Sequence, residues 1–235
     1  MRRREPRAEQ LTFDRLLGGR RKGGGRKKSP DSGVPHLRRA PVSGRQAVHV
    51  TARVRDDVPF LRQLTVLREL HGCFEEARER PGRKTTGWFR LLHFSIQGNH
   101  VHLLVQASDR HTLTRALIGL LGRIAMAVNR VFGRSGEVFA DRYHDRVLST
   151  PREIYNVLRY LFENARKHGM ALIKGRPDPY SSGLWFDGWK DYVHDGWIRR
   201  ESPVARAVGW LLNKGWRRHG LLELRPAWDR SLNWS

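Results

Sequence analysis

A single cysteine, Cys73, in a chain of 235 residues excludes an internal disulfide framework and any zinc site built from several thiolates. Acidic residues are also scarce: 23 Asp+Glu stand against 45 Lys+Arg, a formal charge of +22. Such an excess selects a polyanionic partner, nucleic acid or an anionic membrane surface. Long apolar runs are missing. The densest cluster, around Leu103-Leu104-Val105, falls far short of the roughly 18 residues of a spanning helix, so no membrane partner is expected. The basic N-terminus lacks the apolar stretch of a secretory signal. What remains is the profile of a cytoplasmic, nucleic-acid-facing protein, long enough for one ordinary domain with extensions.

The charge is unevenly spread. Residues 1–45 carry 14 Lys+Arg and 4 Asp+Glu, and Gly18 to Lys28 contains nothing but Gly, Arg and Lys. With no periodicity that could bury a face, residues 1–46 are expected to form a disordered basic arm. From there the pattern changes. Val48, Val50, Ala52 and Val54 alternate with His49, Thr51, Arg53 and Arg55, the period of a half-buried strand. A helix is predicted over 59–80, strands over 88–97 and 100–106 joined by a Gly98-Asn99 turn, a helix over 112–132 and a short strand over 144–148.

A further helix opens with Thr150 as N-cap, Pro151 in its first turn and Glu153 completing a capping box, and is expected to end at Gly169. The predicted fold class is α+β. Its βαββαβ order is that of a ferredoxin-like antiparallel sheet with helices on one face and the other face left free for a site. The seventh element is the helix from Thr150. The domain so defined spans 47–170, and a Trp-rich C-terminal extension, 171–235, adds a short helix near 204–216.

The strand His100-Val101-His102-Leu103-Leu104-Val105 places His100 and His102 on one face and the apolar residues Val101, Leu103 and Val105 on the other. Two neutral imidazoles on a rigid strand can converge on one divalent ion. On the helix from Thr150, Ile154, Val157, Leu158, Leu161 and Ala165 form a narrow apolar arc. Tyr160 and Asn164, one turn apart, flank that arc, where a side chain could reach a site between helix and sheet. An amide oxygen suits Mg²⁺ or Mn²⁺, and a phenol is a nucleophile once helped to ionise. Together these parts fit phosphoryl transfer on single-stranded or hairpin DNA: a covalent phosphotyrosine, a free 3′-hydroxyl and rejoining without ATP.

The segments Gly98-Asn99-His100-Val101-His102-Leu103-Leu104-Val105, Val138-Phe139-Ala140-Asp141-Arg142-Tyr143-His144 and Tyr160-Leu161-Phe162-Glu163-Asn164-Ala165-Arg166-Lys167-His168 resemble the single-tyrosine HUH transposases, and among them the REP-associated tyrosine transposases. Weaker echoes lie at Asp178-Pro179-Tyr180-Ser181-Ser182 and at Gly215-Trp216-Arg217-Arg218-His219-Gly220. The resemblance implies that His100 and His102 are the HUH pair, Tyr160 the nucleophile and Asn164 a third metal ligand. It also implies a bacterial, nucleoid-associated enzyme acting as monomer or homodimer. Many relatives carry Asn-Pro where this chain has Asn164-Ala165, a change that removes no catalytic group. Tyr143 and Tyr155 remain rival nucleophiles, ranked below Tyr160. Arg142, His144, Arg146, Arg166 and Lys167 are candidate DNA-phosphate contacts. His49 and Arg53 share a strand face that either looks onto the site or lies on the surface. The alternative function is a non-catalytic nucleic-acid-binding module of the RRM type, which needs exposed aromatics on the sheet.

Overall fold

Five antiparallel strands form one sheet in the order β2-β3-β4-β1-β5. They are β1 (Ala47–Arg53), β2 (Glu79–Pro81), β3 (Trp88–Ile96), β4 (His100–Ala107) and β5 (His144–Leu148). The computed structural model describes residues 39–81, 87–167, 170, 173, 175–192 and 201–224. Residues 1–38, which hold most of the expected basic arm, and Gly169, the expected helix stop, lie outside the described residues.

Two helices, α1 (Leu64–Ala77) and α2 (Arg110–Phe132), cover one sheet face. Alternation along the strands decides which side chains meet them. Val48, Val50 and Ala52 of β1 and Val101, Leu103 and Val105 of β4 are buried with Leu70, Phe74, Leu117 and Ile124 of the helices. Burial of each of these Val, Leu, Ile and Phe side chains contributes about 1.5–3 kcal/mol. Asp109 caps α2 by accepting from the Thr112 amide at 2.9 Å, and Gly133, at φ 59°, ends it in the left-handed region.

The second face is not free, contrary to the sequence expectation. Helix α3 (Pro151–Lys167) and parts of the C-terminal extension pack on it, burying Leu92, Leu104 and Leu148 with Ile154, Leu158, Leu161, Phe162, Phe186, Trp189, Leu212 and Trp216. The reason is legible afterwards: the apolar arc of α3 needs a partner, and Leu92, Leu104 and Leu148 supply one on the side opposite to α1 and α2. The capping box of α3 is formed, with the Thr150 amide donating to the Glu153 carboxylate at 3.1 Å and the Glu153 amide donating to Thr150 Oγ1 at 3.2 Å.

Other expectations shift. Helix α1 starts at Leu64, because the stretch before it docks as an irregular, bent segment, with Leu61 fully buried and its amide donating to the Gly98 carbonyl at 2.8 Å. The Phe60 ring lies against Gly98, where a Cβ would meet it at 2.2 Å and displace it. Residues 39–46 are packed, not part of a free arm: Arg39 pairs with Asp145 and lies 3.7 Å over the Tyr143 ring, and Gln46 donates to Ser149. In place of one helix over 204–216 there is an extended strap, then α4 (Trp210–Asn213) and a 3-10 turn, Gly215–His219. The strap is held by Ala205 donating to the Leu91 carbonyl and Val208 donating to the Gln106 side chain. No helix among the described residues is long and apolar enough to cross a membrane.

Candidate active site

Because β4 alternates, His100 and His102 point to the α3 side of the sheet. Their Nε2 atoms lie 2.9 Å apart, with the rings edge-on at 4.6 Å. His100 Nδ1 contacts the Asn99 side-chain oxygen at 2.8 Å. The outer nitrogen of His102, Nδ1, faces two groups on β1: Thr51 Oγ1 at 3.0 Å and His49 Nε2 at 3.2 Å. The pairing register produces this, since Thr51 stands opposite His102 in the β1–β4 ladder. Tyr160 of α3 completes the cluster, its ring centre 5.2 Å from that of His102 and 6.0 Å from that of His49.

Electrostatics keep His49 and Tyr160 neutral. Burial, with the charges of His144 and Arg146, lowers the His49 pKa to about 4. Burial also raises that of the Tyr160 phenol, so it stays protonated at neutral pH without an external stabiliser of its phenolate. Asn164, one turn along α3 from Tyr160, is fully buried, and among the described residues neither its Oδ1 nor its Nδ2 has a hydrogen-bond partner. An unsatisfied buried amide costs about 1–3 kcal/mol and calls for a ligand, an ion or water.

The remaining candidates divide. His144 and Arg146, exposed on β5, pair with Thr51 and His49 and so share the cluster's face, with Arg146 also 2.9 Å from Glu153. Arg142 is exposed in the segment leading into β5. Arg166 is half-buried, and its pKa is lowered by that burial against the opposing pull of Glu163 and Asp178, which makes it less available than a surface arginine. The Lys167 side chain lies outside the described residues. Neither rival tyrosine reaches the histidines: Tyr143 is buried on the α1/α2 side, and Tyr155 lies against His219 at 5.7 Å. His49 and Thr51 are the residues that sequence reasoning underweighted. Their signal was the shared face of the first strand, which becomes informative only once that strand is paired with β4.

No protein-family model and no curated protein matches this sequence. Among solved structures, a REP-associated tyrosine transposase bound to a REP hairpin matches with a TM-score of 0.50 at 14% identity, over 75% of this chain and all of that one. The chain has the fold of a REP-associated tyrosine transposase. A candidate transposase from Deinococcus radiodurans R1 matches at a TM-score of 0.36 and 16% identity, over 55% of this chain and 97% of that one. The transposase fold thus accounts for three quarters of the chain.

Proposed function

We propose that this protein cleaves and rejoins single-stranded, hairpin-bearing DNA through a 5′-phosphotyrosine on Tyr160. His100, His102 and Asn164 would hold a Mg²⁺ or Mn²⁺ ion. The observation that carries the reading is the convergence of His100, His102 and Tyr160 in one cluster on the α3 face of the sheet. The likeness to a hairpin-bound tyrosine transposase gives it a substrate class. The ferredoxin-like topology, with α3 as the tyrosine-bearing seventh element, fits the strand order β3-β4-β1-β5 once the three-residue edge strand β2 is set aside.

The residues fit a hard divalent ion. Two ligands at about 2.1 Å on adjacent octahedral positions lie roughly 3.0 Å apart, close to the 2.9 Å between the two Nε2 atoms. Asn164, buried one turn of α3 from Tyr160, would add an amide oxygen that has no partner among the described residues. Once bound, the ion would polarise the scissile phosphate and favour the phenolate.

The chain's own groups do the rest. In the Nδ1–H tautomer that ligation through Nε2 requires, His102 would donate a hydrogen bond to Thr51 Oγ1, which would leave the Nε2 lone pair directed away from β1. Tyr160 Oη attacks phosphorus; the Oη–P bond forms as the P–O3′ bond breaks. The phenol loses one proton and the departing 3′ oxygen takes one up, so the count is unchanged, and reversal by another 3′-hydroxyl joins strands. His144 and Arg146 would receive flanking phosphates, Arg146 exchanging its pairing with Glu153 to do so. The enzyme would work on the nucleoid, in the cytoplasm, as a monomer or homodimer. The RRM-type alternative needs an open sheet with stacking aromatics, whereas this face carries histidines and lies under α3.

The test is incubation of labelled hairpin DNA with the full chain and Mg²⁺ or Mn²⁺. A protein–DNA adduct stable on a denaturing gel is expected, abolished by EDTA and by Tyr160→Phe. An adduct that survives in Tyr160→Phe, or cleavage indifferent to EDTA, overturns the assignment.

A further inference from the structure

The 3-10 turn Gly215–His219 takes no part in the site described above, and its geometry sets what it can offer. At three residues per turn, successive side chains diverge by about 120°. Trp216 goes inward, 2% exposed, and its indole donates to the Leu212 carbonyl at 3.0 Å. Arg217 turns to Asp187, 2.8 Å away. Arg218 turns to α4 and lies 4.7 Å over the Trp210 ring. His219 meets the Tyr155 ring of α3 at 5.7 Å, which ties the turn to the helix that carries Tyr160.

Arg218 and Lys214 are exposed, and neither has a carboxylate partner among the described residues. The same holds for exposed Arg152 of α3, one turn before Tyr155. Neighbouring carboxylates are committed elsewhere: Asp187 to Arg217, Glu223 to Lys190, and Glu153 to Arg146 and the helix cap. Trp210 is 51% exposed, a large apolar surface left in water. Gly215 lies against its ring, where a Cβ would come within 2.8 Å of Cζ3, so the backbone holds the indole and the indole holds Arg218. A guanidinium held over an aromatic face keeps N–H donors for bidentate contact with an anion, and is ordered before that anion arrives.

Uncompensated cations spread over a surface select a polyanion, not a single small acid. Tyr155 and Tyr160 lie five residues apart on α3, about 7.5 Å along its axis and about 140° round it. A strand leaving Tyr160 therefore reaches the turn by crossing the outer side of the helix, past exposed Arg152 and Asn156. We propose that Arg152, Lys214 and Arg218 form a track for the phosphates of a single-stranded DNA flank, with the Arg218 guanidinium, held by Trp210, as its principal contact. The inference rests on the DNA-processing reading. It gives the C-terminal layer a part in holding the substrate, besides backing α3.

The test is fluorescence anisotropy of labelled hairpin DNA, with and without its single-stranded flanks, titrated with the full chain at several salt concentrations. Arg218→Ala should weaken binding of the flanked hairpin about tenfold and lower the salt slope by about 0.7, the loss of one phosphate contact on a single strand. Trp210→Ala should weaken it by a similar factor, and Trp210→Ala/Arg218→Ala by no more than Arg218→Ala alone, because the indole acts through the guanidinium. On hairpins stripped of both flanks, Arg218→Ala should bind as the wild type does. Arg115→Ala removes an equal charge from the exposed side of α2, across the sheet, and should change binding by less than about twofold. No loss in Arg218→Ala, or a loss that Arg115→Ala matches and that therefore reports net charge alone, overturns the inference. So does a loss that persists without flanks, which assigns the patch to the duplex stem, or an additive double variant, which detaches Trp210 from Arg218. A wild type that binds no DNA refutes the underlying function instead.

Discussion

Arg62 and Asp178 join the segment before α1 to the start of the C-terminal layer through a bidentate pair, both contacts at 2.8 Å. Only 6% of the Arg62 side chain and 1% of the Asp178 side chain are exposed. Arg62 also donates to the Ile96 carbonyl at 2.9 Å and lies 4.4 Å over the Tyr180 ring. Arg62→Met keeps most of the volume but leaves the Asp178 carboxylate buried with the Tyr180 amide as its remaining donor. Stranding one partner of a buried pair costs about 3–5 kcal/mol, a third or more of the stability of many domains. Replacing both, in Arg62→Met/Asp178→Leu, should recover most of that loss, because two desolvated charges then disappear together. Urea unfolding followed by tryptophan fluorescence measures Arg62→Met, Asp178→Leu and the double variant. A loss below about 1 kcal/mol in Arg62→Met, or a double variant whose loss equals the sum of the single ones, would refute the view that this pair clamps the C-terminal layer.

Thr51→Val should weaken Mn²⁺ binding about 10- to 100-fold by calorimetry, with Thr51→Ser restoring it; equal affinity in all three would remove Thr51 from any role in orienting His102. Asn164→Leu should raise stability in the absence of metal, since it ends an unsatisfied burial worth about 1–3 kcal/mol, while lowering Mn²⁺ affinity; a destabilised, metal-competent variant contradicts both halves. Burial lowers the pKa of His93 from its ordinary 6.5 to about 4, so the unfolded chain takes up the proton first, and stability should be flat above pH 6.5 and fall between 6.5 and 4. His49 contributes a slope of the same sign, so the measurement is the difference between wild type and His93→Phe in urea midpoint against pH. Deleting residues 1–38 should weaken binding to all single strands alike and lower the salt slope by about 0.7 for each phosphate the arm neutralises; an effect confined to one sequence would make the arm a base reader.

Local pattern carried much of the architecture. The alternation in β4 places His100 and His102 together, and the Thr150–Glu153 box marks the start of α3, because both depend on residues close in the chain. What escaped was tertiary. Glu79-Arg80-Pro81 has no strand composition, yet it pairs with the edge of β3, where a proline is tolerated. Arg62 looks like the first turn of a helix and is instead committed to Asp178, more than a hundred residues later. The bulge at Leu92, where the β3–β4 register slips, has no local signature, and the role of His49 and Thr51 depends on which strand lies beside them. The Asp178-Pro179-Tyr180-Ser181-Ser182 segment has a structural account as well: it supplies the Arg62 partner and the Ser182 hydroxyl under His93.

The placement of α3 between sheet and C-terminal layer also sets a schedule. Translation delivers the chain from its N-terminus at about 5–20 residues per second, so several seconds separate the emergence of Lys167 from that of Leu222. In that interval both histidines and the tyrosine already exist, but Phe186, Trp189, Leu212 and Trp216, which back the helix, do not. The nascent protein therefore carries His100, His102 and Tyr160 before it carries the wall that backs α3 and holds that helix in register on the sheet.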